Sequence, residues 1–261
     1  MSETPIIHLD NVVLRFGDQA ILDGLSLKVF VGERLVIVGQ SGVGKSTMLR
    51  LILGILRPSS GTVRYRKLEV QRLSRGRLNL LRRRIGMVYQ YSALISSMTV
   101  RQNLALPVEE LKRKPQREIN AMIEEKLAMV GMSGTEDKLP SELSGGMRKR
   151  VSLARALMME PELMLFDEPS AGLDPVISSV IDELIINLSE KTHTTSVIVS
   201  QQMDSAFRIA TRMAMLYQGK IIDDEAPQQF RNSTNPIVRQ FVTGETEGPI
   251  TEAQINAGSS E

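Results

Sequence analysis

The chain has 261 residues, 42% of them hydrophobic, which is enough to bury the core of one large domain or two small ones. Its 32 basic and 30 acidic side chains leave a formal charge of +2, which gives no overall attraction to nucleic acid. The absence of cysteine excludes disulfides and thiol nucleophiles and is compatible with a reducing compartment. We find no signal peptide and no run of about 18 uncharged apolar residues, so we expect a globular chain that does not cross a membrane by itself.

Short apolar runs separated by turn residues open the sequence. Residues 6–9, 12–16 and 21–29 predict strands of an antiparallel edge, with Asp10-Asn11 and Gly17-Asp18 as turns. Arg34–Val38 (RLVIV) predicts a buried strand, and residues 47–56 predict a buried helix that ends before Pro58.

The remaining pattern predicts a parallel sheet covered by helices. Residues 85–89, 163–166 and 196–200 are further short apolar runs, each followed by polar residues. Apolar positions recur at helical spacing in residues 116–131 and 176–188, and residues 213–222 predict a hairpin around Gln218-Gly219. From Gly244 the chain is polar and mildly acidic, and we interpret it as a tail outside the core.

The segment GQSGVGKS carries the strongest chemical signal. Gly39, Gly44, Lys45 and Ser46 satisfy the spacing G-x-x-x-x-G-K-[ST] between a predicted strand and a predicted helix. Backbone N–H groups of such a loop bind the α- and β-phosphates of a nucleotide, the lysine reaches the β- and γ-oxygens, and the serine hydroxyl binds Mg²⁺. The predicted triphosphate-binding residues are Gly39, Gln40, Ser41, Gly42, Val43, Gly44, Lys45, Ser46 and Thr47. A glycine turn that only caps a helix is the alternative, and lysine and serine at the third glycine position disfavour a dinucleotide fingerprint.

Polar residues with a possible catalytic role follow two of the predicted strands. Asp167 and Glu168 end the run LMLFDE, where Asp167 would bind Mg²⁺ and Glu168 would polarise the attacking water. Gln90 follows residues 85–89 and could contact Mg²⁺ or water through its amide oxygen. Read alone, the acidic pair could be a solvated turn and Gln90 could have no role; the phosphate loop upstream favours function.

The segment LSGGM predicts the start of a helix. Ser144 is a good N-cap, and Gly145 and Gly146 allow close approach of another molecule to the free N–H groups. By itself the segment could be no more than a helix start.

The order of phosphate loop, Gln90, LSGGM, LMLFDEP and SAGLD resembles the ATP-binding cassette family over almost the whole chain. The resemblance implies an α/β fold: a RecA-like P-loop NTPase core with an antiparallel β edge and an inserted α-helical subdomain. The implied core covers residues 1–92 and 159–235, the helical subdomain residues 93–158, and the tail residues 236–261.

The resemblance also implies how two copies cooperate. ATP and Mg²⁺ would be cofactors, and a second copy would pair head to tail, so that Ser144, Gly145 and Gly146 act in trans and Asp174 lies at the interface. Phe16 would stack on adenine, although an aromatic residue in an edge strand is more often packing. Where the family has a histidine after the strand 196–200, this chain has Gln201, which cannot carry a positive charge. We therefore expect slower hydrolysis, unless Gln202 or a shifted loop supplies the contact.

Three stretches outside the catalytic motifs resemble the ATPase of Mla-type lipid transporters: residues 92–107, 139–157 and 233–250. This implies a transmembrane permease and an MCE-domain protein as partners, a location at the cytoplasmic face of the inner membrane, and a C-terminal stretch that supports the ATPase dimer. A disordered tail after Gly248 is the alternative to that support. An ATPase for another solute such as an amino acid, a soluble cassette protein and an ATP-binding switch with weak hydrolysis remain open. The nine basic residues of 64–84 suggest a solvated face, with attraction to acidic lipid headgroups as a second hypothesis.

Overall fold

The computed structural model describes residues 4–109 and 114–258. Residues 1–3 of the predicted core, 110–113 of the predicted helical subdomain and 259–261 of the predicted tail lie outside that part of the chain. The strands are β1 Ile7–Phe16, β2 Gln19–Val29, β3 Arg34–Val38, β4 Ser60–Tyr65, β5 Leu68–Glu69, β6 Ile85–Val88, β7 Leu163–Asp167, β8 Thr195–Ser200, β9 Arg212–Tyr217 and β10 Lys220–Glu225. The α-helices are α1 Lys45–Ile52, α2 Arg75–Arg82, α3 Val100–Glu109, α4 Gln116–Met129, α5 Gly145–Leu157, α6 Pro175–Thr192, α7 Met203–Ile209, α8 Pro227–Arg231, α9 Pro236–Thr243 and α10 Pro249–Gly258. Short 3-10 helices lie at Val70–Arg72 and Pro140–Glu142.

A six-stranded sheet with the order β10-β9-β3-β8-β7-β6 forms the centre of the molecule. From β9 to β6 the neighbouring strands are parallel, and β10 joins the edge as the antiparallel partner of β9. Both faces are covered, since Leu35 and Ile37 belong to one hydrophobic cluster while Val36 and Val38 belong to the other. The predicted α/β class with a covered parallel sheet is confirmed, and Gln218 and Gly219 form the predicted hairpin turn between β9 and β10.

A second, four-stranded antiparallel sheet has the order β2-β1-β4-β5 and forms the predicted edge. The prediction of a turn at Asp10-Asn11 was wrong, because β1 runs through both residues with a bulge between Leu9 and Val12. Asn11 takes a positive φ of 48°, and its N–H donates to the Ser26 hydroxyl, so the extra residue is accommodated inside the strand. The predicted turn at Gly17-Asp18 is confirmed.

Helix α1 lies between the two sheets and is shorter than its apolar pattern predicted. It begins at Lys45 and ends at Ile52, where Leu53 caps it and Gly54 follows with a φ of 63°. The predicted end at residue 56 was therefore wrong, because Gly54 turns the chain although the residues beyond it are still apolar.

Helices α3, α4 and α5 pack on one another within residues 93–158, next to the central sheet. Helices α4 and α6 confirm the helical spacing of residues 116–131 and 176–188.

The C-terminal segment corrects the interpretation of everything after Gly244 as a tail. Residues 249–258 form α10, and the side chain of Ile250 is buried in the same cluster as Val238 of α9. The side chain of Gln240 holds the two helices together, accepting from the N–H of Ile250 and donating to the hydroxyl of Thr251.

Candidate nucleotide-binding site

The residues singled out in the sequence follow parallel strands whose carboxyl ends meet at one edge of the central sheet. The glycine loop follows β3, Gln201 follows the neighbouring β8, Glu168 follows β7, and Gln90 lies beyond β6. Val38 pairs with Ser200, and Asp167 pairs with Val199, so these strand ends lie side by side. This is the edge at which open α/β sheets bind ligands.

The loop between β3 and α1 has the backbone of a phosphate cradle. Gly39, Gly42 and Gly44 all have positive φ, at 154°, 76° and 107°. A Cβ at Gly39 would lie 2.3 Å from the carbonyl oxygen of Leu216, so only glycine fits there. Gly44 caps α1 without a side-chain hydrogen bond, which leaves first-turn N–H groups of the helix available to an anion.

Lys45 is buried in this loop. Its Nζ donates to the carbonyl oxygens of Gly39 at 2.7 Å and Gln40 at 2.9 Å, and it lies 3.8 Å from a carboxylate oxygen of Glu168. Burial lowers the pKa of Lys45, although Glu168 and Asp167 act in the opposite direction. The ammonium group is thus fixed among oxygen atoms at the mouth of the loop.

Ser46 joins the loop to the end of β7. Its hydroxyl donates to the Asp167 carboxylate at 2.7 Å, and Asp167 itself is buried. A hydroxyl and a carboxylate at this distance are the hard oxygen ligands that Mg²⁺ prefers. In residues 4–109 and 114–258, no group of three or more His, Asp or Glu side chains could hold a metal, so an ion here would also need oxygens of the nucleotide. The donor set fits Mg²⁺ on those terms.

Glu168 has a strained backbone and a carboxylate that is only partly satisfied. Its φ is 48°, which costs about 1–3 kcal/mol in a residue other than glycine. Oε2 accepts from the backbone N–H of Gln201 at 3.2 Å, whereas Oε1 is buried and has no hydrogen-bond partner in the part of the chain that the structure describes. An orphaned buried carboxylate oxygen beside a lysine is suited to accept a hydrogen bond from water or substrate.

Lys149 was not identified from the sequence, yet it connects two of the predicted site segments. Its buried ammonium donates to the carbonyl oxygen of Gln90 and, at 3.3 Å, to that of Glu168. Burial lowers the pKa of Lys149, opposed by Asp167 and Glu168. Lys149 belongs to α5, the helix that begins after the LSGGM serine. Movement of α5 would therefore change the hydrogen bonds of Lys149 to Gln90 and Glu168 directly.

Ser144 of the LSGGM segment and Asp174 are exposed N-caps of α5 and α6. Ser144 is exposed and caps α5 by accepting from the N–H of Met147, while Gly146 would place a Cβ 2.7 Å from Ile177. Asp174 is exposed and caps α6, accepting from the N–H groups of Val176 and Ile177. Among the described residues no hydrogen bond or ion pair joins Ser144, Gly145 or Gly146 to the glycine loop.

Phe16 lies at the end of β1 with 54% of its surface exposed. It pairs with Gln19, and in the same hairpin Ile21 and Leu22 pack against the position of Gly44. An exposed ring therefore stands on the hairpin that contacts the glycine loop. Thr47 follows Ser46 in the first turn of α1 and is partly buried.

A glycine cradle with a buried lysine, a serine paired to an aspartate and an adjacent glutamate, all at the carboxyl edge of a parallel sheet, define a P-loop nucleotide-binding protein. Residues 22–171 match the sequence profile of the ABC transporter family, and the chain belongs to that family. It is accordingly an ATP-binding subunit of the ABC type, with the ATP hydrolysis that this family implies.

Similar proteins span nearly the whole chain. It is 39% identical to the chloroplastic protein TRIGALACTOSYLDIACYLGLYCEROL 3 of Arabidopsis thaliana, over 94% of this chain and 75% of that protein. Identity is 37% with the intermembrane phospholipid transport system ATP-binding protein MlaF of Haemophilus influenzae, over 94% of this chain and 93% of that protein. Among solved structures, a dimeric ATP-binding cassette in a post-hydrolysis state with ADP and Pi matches with a TM-score of 0.77 and 30% identity, over 85% of this chain and 98% of that one. No helix in the part of the chain that the structure describes is long and apolar enough to cross a bilayer.

Proposed function

We propose that this chain binds MgATP, pairs with a second copy of itself and hydrolyses ATP to drive phospholipid movement through a membrane-embedded permease. The observation that carries the proposal is the convergence of Lys45, Ser46, Asp167 and Glu168 on the glycine loop. The similarity to MlaF over nearly the full length of both chains supports phospholipid as the cargo.

The loop residues 39–47 would bind the triphosphate. Lys45, which is bonded to two loop carbonyls, would turn its ammonium group to the β- and γ-phosphate oxygens. Backbone N–H groups at the start of α1 would donate hydrogen bonds to the other phosphate oxygens. Phe16 would stack on the adenine from its exposed position on the neighbouring hairpin.

Ser46 and Asp167 would hold Mg²⁺, with Gln90 as a further oxygen ligand. When bound, the ion would neutralise charge on the β- and γ-phosphates. Glu168 would accept a hydrogen bond from the attacking water at Oε1, the oxygen that has no hydrogen-bond partner among the described residues. The N–H of Gln201 keeps the other oxygen, Oε2, in place.

Gln201 stands where the family has histidine, and its side chain can donate a hydrogen bond to the γ-phosphate but cannot supply a charge. A neutral donor stabilises developing negative charge less than an imidazolium does, so we propose that hydrolysis is slower than with histidine while ATP binding is preserved.

The second copy would complete the site. Ser144 and Asp174 are exposed, and among the described residues no hydrogen bond or ion pair joins Ser144, Gly145 or Gly146 to the glycine loop of their own chain. A head-to-tail pair would bring these residues over the γ-phosphate held by the partner, with the N-terminus of α5 aimed at it. The similar cassette that was solved as a dimer with ADP and Pi supports this arrangement.

The permease would dock on the segment that contains α3 to α5, and an MCE-domain protein would complete the transporter at the cytoplasmic face of the inner membrane. Lys149 supports such coupling, because it connects α5 to Gln90 and Glu168. The core at residues 1–92 and 159–235 would then carry the nucleotide, and residues 93–158 would transmit its state.

Two experiments test the proposal. Glu168→Gln, with the exposed Glu183→Gln as a matched control, should bind ATP normally but lower turnover by about 10²–10⁴-fold. Normal turnover of Glu168→Gln would refute the role of Glu168.

Purification of the tagged chain from membranes should recover a permease and an MCE-domain protein, with ATP turnover that rises when phospholipid vesicles are added. Recovery of a permease without an MCE-domain protein, and turnover indifferent to phospholipid, would instead favour an ATPase for another solute.

A further inference from the structure

A charged side chain lies completely buried behind the nucleotide site. Asp182, in the middle of α6, has 0% of its surface exposed. Its Oδ1 accepts from the hydroxyl of Ser170 at 3.0 Å and from that of Ser205 at 2.5 Å, and its Oδ2 accepts from Nη1 of Arg208 at 2.7 Å.

Burial of a carboxylate is costly, and these partners offset that cost. An ion pair with Arg208 and two hydroxyl donors satisfy both oxygens, which is the condition under which a buried charge persists. Such pairs add little net stability compared with apolar side chains of similar size, but they fix the relative position of the elements that carry the partners. Asp182 connects two such elements, one on either side of α6.

On one side, Asp182 holds the turn that carries Glu168. Ser170 is two residues after Glu168 and is itself buried. The turn is closed by hydrogen bonds from the N–H of Ala171 to the carbonyl of Glu168 and from the N–H of Leu173 to the carbonyl of Ser170. The Ser170 hydroxyl ties this turn, with its strained residue Glu168, to α6.

On the other side, Asp182 holds α7. This helix begins at Met203, directly after the Gln201-Gln202 segment, and both Ser205 and Arg208 belong to it. A cavity of about 330 Å³ lies beside the network and is bordered by residues of α6 and α7, which include Asp182 and Arg208, and by Gln202. Helix α7 packs on the core through Ala206 and Ile209, and the hydrogen bonds to Asp182 fix the part of the helix that borders the cavity.

We infer that Asp182 is a positioning residue for hydrolysis, which keeps the Glu168 turn and the Gln201 segment in register so that the N–H of Gln201 continues to orient the Glu168 carboxylate. The inference rests on the proposed ATPase function, because it deepens the role given to Glu168. We expect ATP binding by the glycine loop to depend less on this register, because Lys45 is bonded to the carbonyl oxygens of Gly39 and Gln40, and Ser46 is bonded to Asp167, which belongs to β7 and precedes the turn.

The test compares Asp182→Asn with Glu33→Gln in the full-length chain. Glu33 is a useful control because it also pairs with an arginine, the partly buried Arg212, but stands just before β3, at the end of the sheet opposite the glycine loop. Asparagine has nearly the shape of aspartate but presents an amide rather than a charge to Arg208. Asp182→Asn should lower kcat for ATP by about tenfold or more with KM within about twofold, whereas Glu33→Gln should leave both near the unaltered values.

Two substitutions of Arg208 distinguish a positioning role of Asp182 from a general effect on protein stability. Arg208→Lys keeps a positive charge for Asp182 and should retain most of the turnover, while Arg208→Met should lower kcat as Asp182→Asn does. If all of these variants lose thermal stability in proportion to turnover, or if Asp182→Asn turns over ATP as the unaltered chain does, the inference is overturned.

Amide hydrogen exchange provides a readout that needs no hydrolysis. Asp182→Asn should speed exchange in residues 168–174 and 203–209 and leave the loop 39–47 unchanged, and Glu33→Gln should change neither segment. Unchanged exchange in those segments would overturn the positioning role. Absence of ATP turnover in the unaltered chain would instead count against the proposed function, and the exchange comparison would still decide the role of Asp182.

Discussion

Replacement of Gly39 by alanine tests whether the glycine loop is shaped by contact with β9. The added Cβ would lie 2.3 Å from the carbonyl oxygen of Leu216, where a carbon–oxygen contact needs about 3.3 Å. An overlap of about 1 Å with backbone atoms costs about 1–3 kcal/mol, and alanine at a φ of 154° adds about 1–3 kcal/mol of strain. We therefore expect Gly39→Ala to lower the free energy of unfolding by about 2–6 kcal/mol.

Gly42 in the same loop provides the matched control. Its φ is 76°, but apart from its chain neighbours no heavy atom of the described residues lies within 4 Å of the position of an added Cβ. Gly42→Ala would suffer only the backbone strain, about 1–2 kcal/mol. The two variants thus share the chemistry of the substitution and differ in the steric contact with Leu216.

Urea unfolding at constant m-value and thermal unfolding both measure the difference in stability between Gly39→Ala and Gly42→Ala. In a chain of this size about 3 kcal/mol corresponds to a melting temperature about 6–12 °C lower, so Gly39→Ala should melt well below Gly42→Ala. ATP affinity, titrated with a fluorescent analogue, should also fall in Gly39→Ala, because relief of the clash moves the carbonyl that accepts from Lys45. Equal stabilities of the two variants would refute the steric argument.

Three further changes test the site and the fold. Gln201→His should raise kcat by about tenfold, since an imidazolium adds charge at the γ-phosphate, and equal turnover in the purified complex would contradict the proposal. Lys149→Met removes the donor to two site carbonyls and should lower kcat more than it raises the Kd for ATP; unchanged kcat would exclude coupling through this lysine. Burial, reinforced by Glu162, raises the pKa of Tyr65 to about 12, whereas tyrosine in the unfolded chain ionises near pH 10. The unfolded chain therefore loses its proton first, and stability should fall by about 2–3 kcal/mol between about pH 10 and 12. Tyr65→Phe should remove this loss in denaturant titrations, and Tyr91→Phe, whose side chain is exposed, should not.

The sequence predicted the central strands well because each combines an apolar run with a chemical motif at its end. Strand β3 has the predicted bounds, and β7 and β8 differ from the prediction by one residue each. A strand buried on both faces needs apolar residues at every position, so its sequence leaves few alternatives. The place of Asp167 and Glu168 at the carboxyl edge follows from that same pattern.

Breaks in the apolar pattern predicted turns less reliably than apolar runs predicted strands. Asp10-Asn11 has the residue types of a turn, yet pairing of β1 with both β2 and β4 keeps the chain extended around a bulge. Strand β4 was missed because it begins with Ser60 and Gly61, which are typical of turns, and β5 was missed because the segment rich in basic residues, 64–84, does not suggest a sheet. The structure places four of its arginines in ion pairs with acidic side chains: Arg64, Arg66, Arg72 and Arg84.

Lys149 and Asp182 show why residues that support a site from behind cannot be predicted from sequence motifs. Both are charged residues within helices, a position that usually faces solvent, and nothing local distinguishes them from exposed neighbours such as Glu183. Their partners are distant in the chain: the carbonyl of Gln90 lies 59 residues from Lys149, and Arg208 lies 26 residues from Asp182. Only the packing of α5, α6 and α7 brings these groups together.

The C-terminal segment shows how few apolar residues suffice to fold a polar stretch onto a core. Residues after Gly244 are mostly polar, but burial of Ile250 and the hydrogen bonds of one internal amide, Gln240, attach α10 to α9. Gly248, with a φ of 147°, comes so close to that amide that an added Cβ would lie 2.7 Å from it. Gly248 and Ile250 are thus already packed against their own chain, so support of a dimer by this segment would have to come from its outer side. Any effect of Gln240 on a dimer would then be indirect, because Gln240 holds that outer side in place.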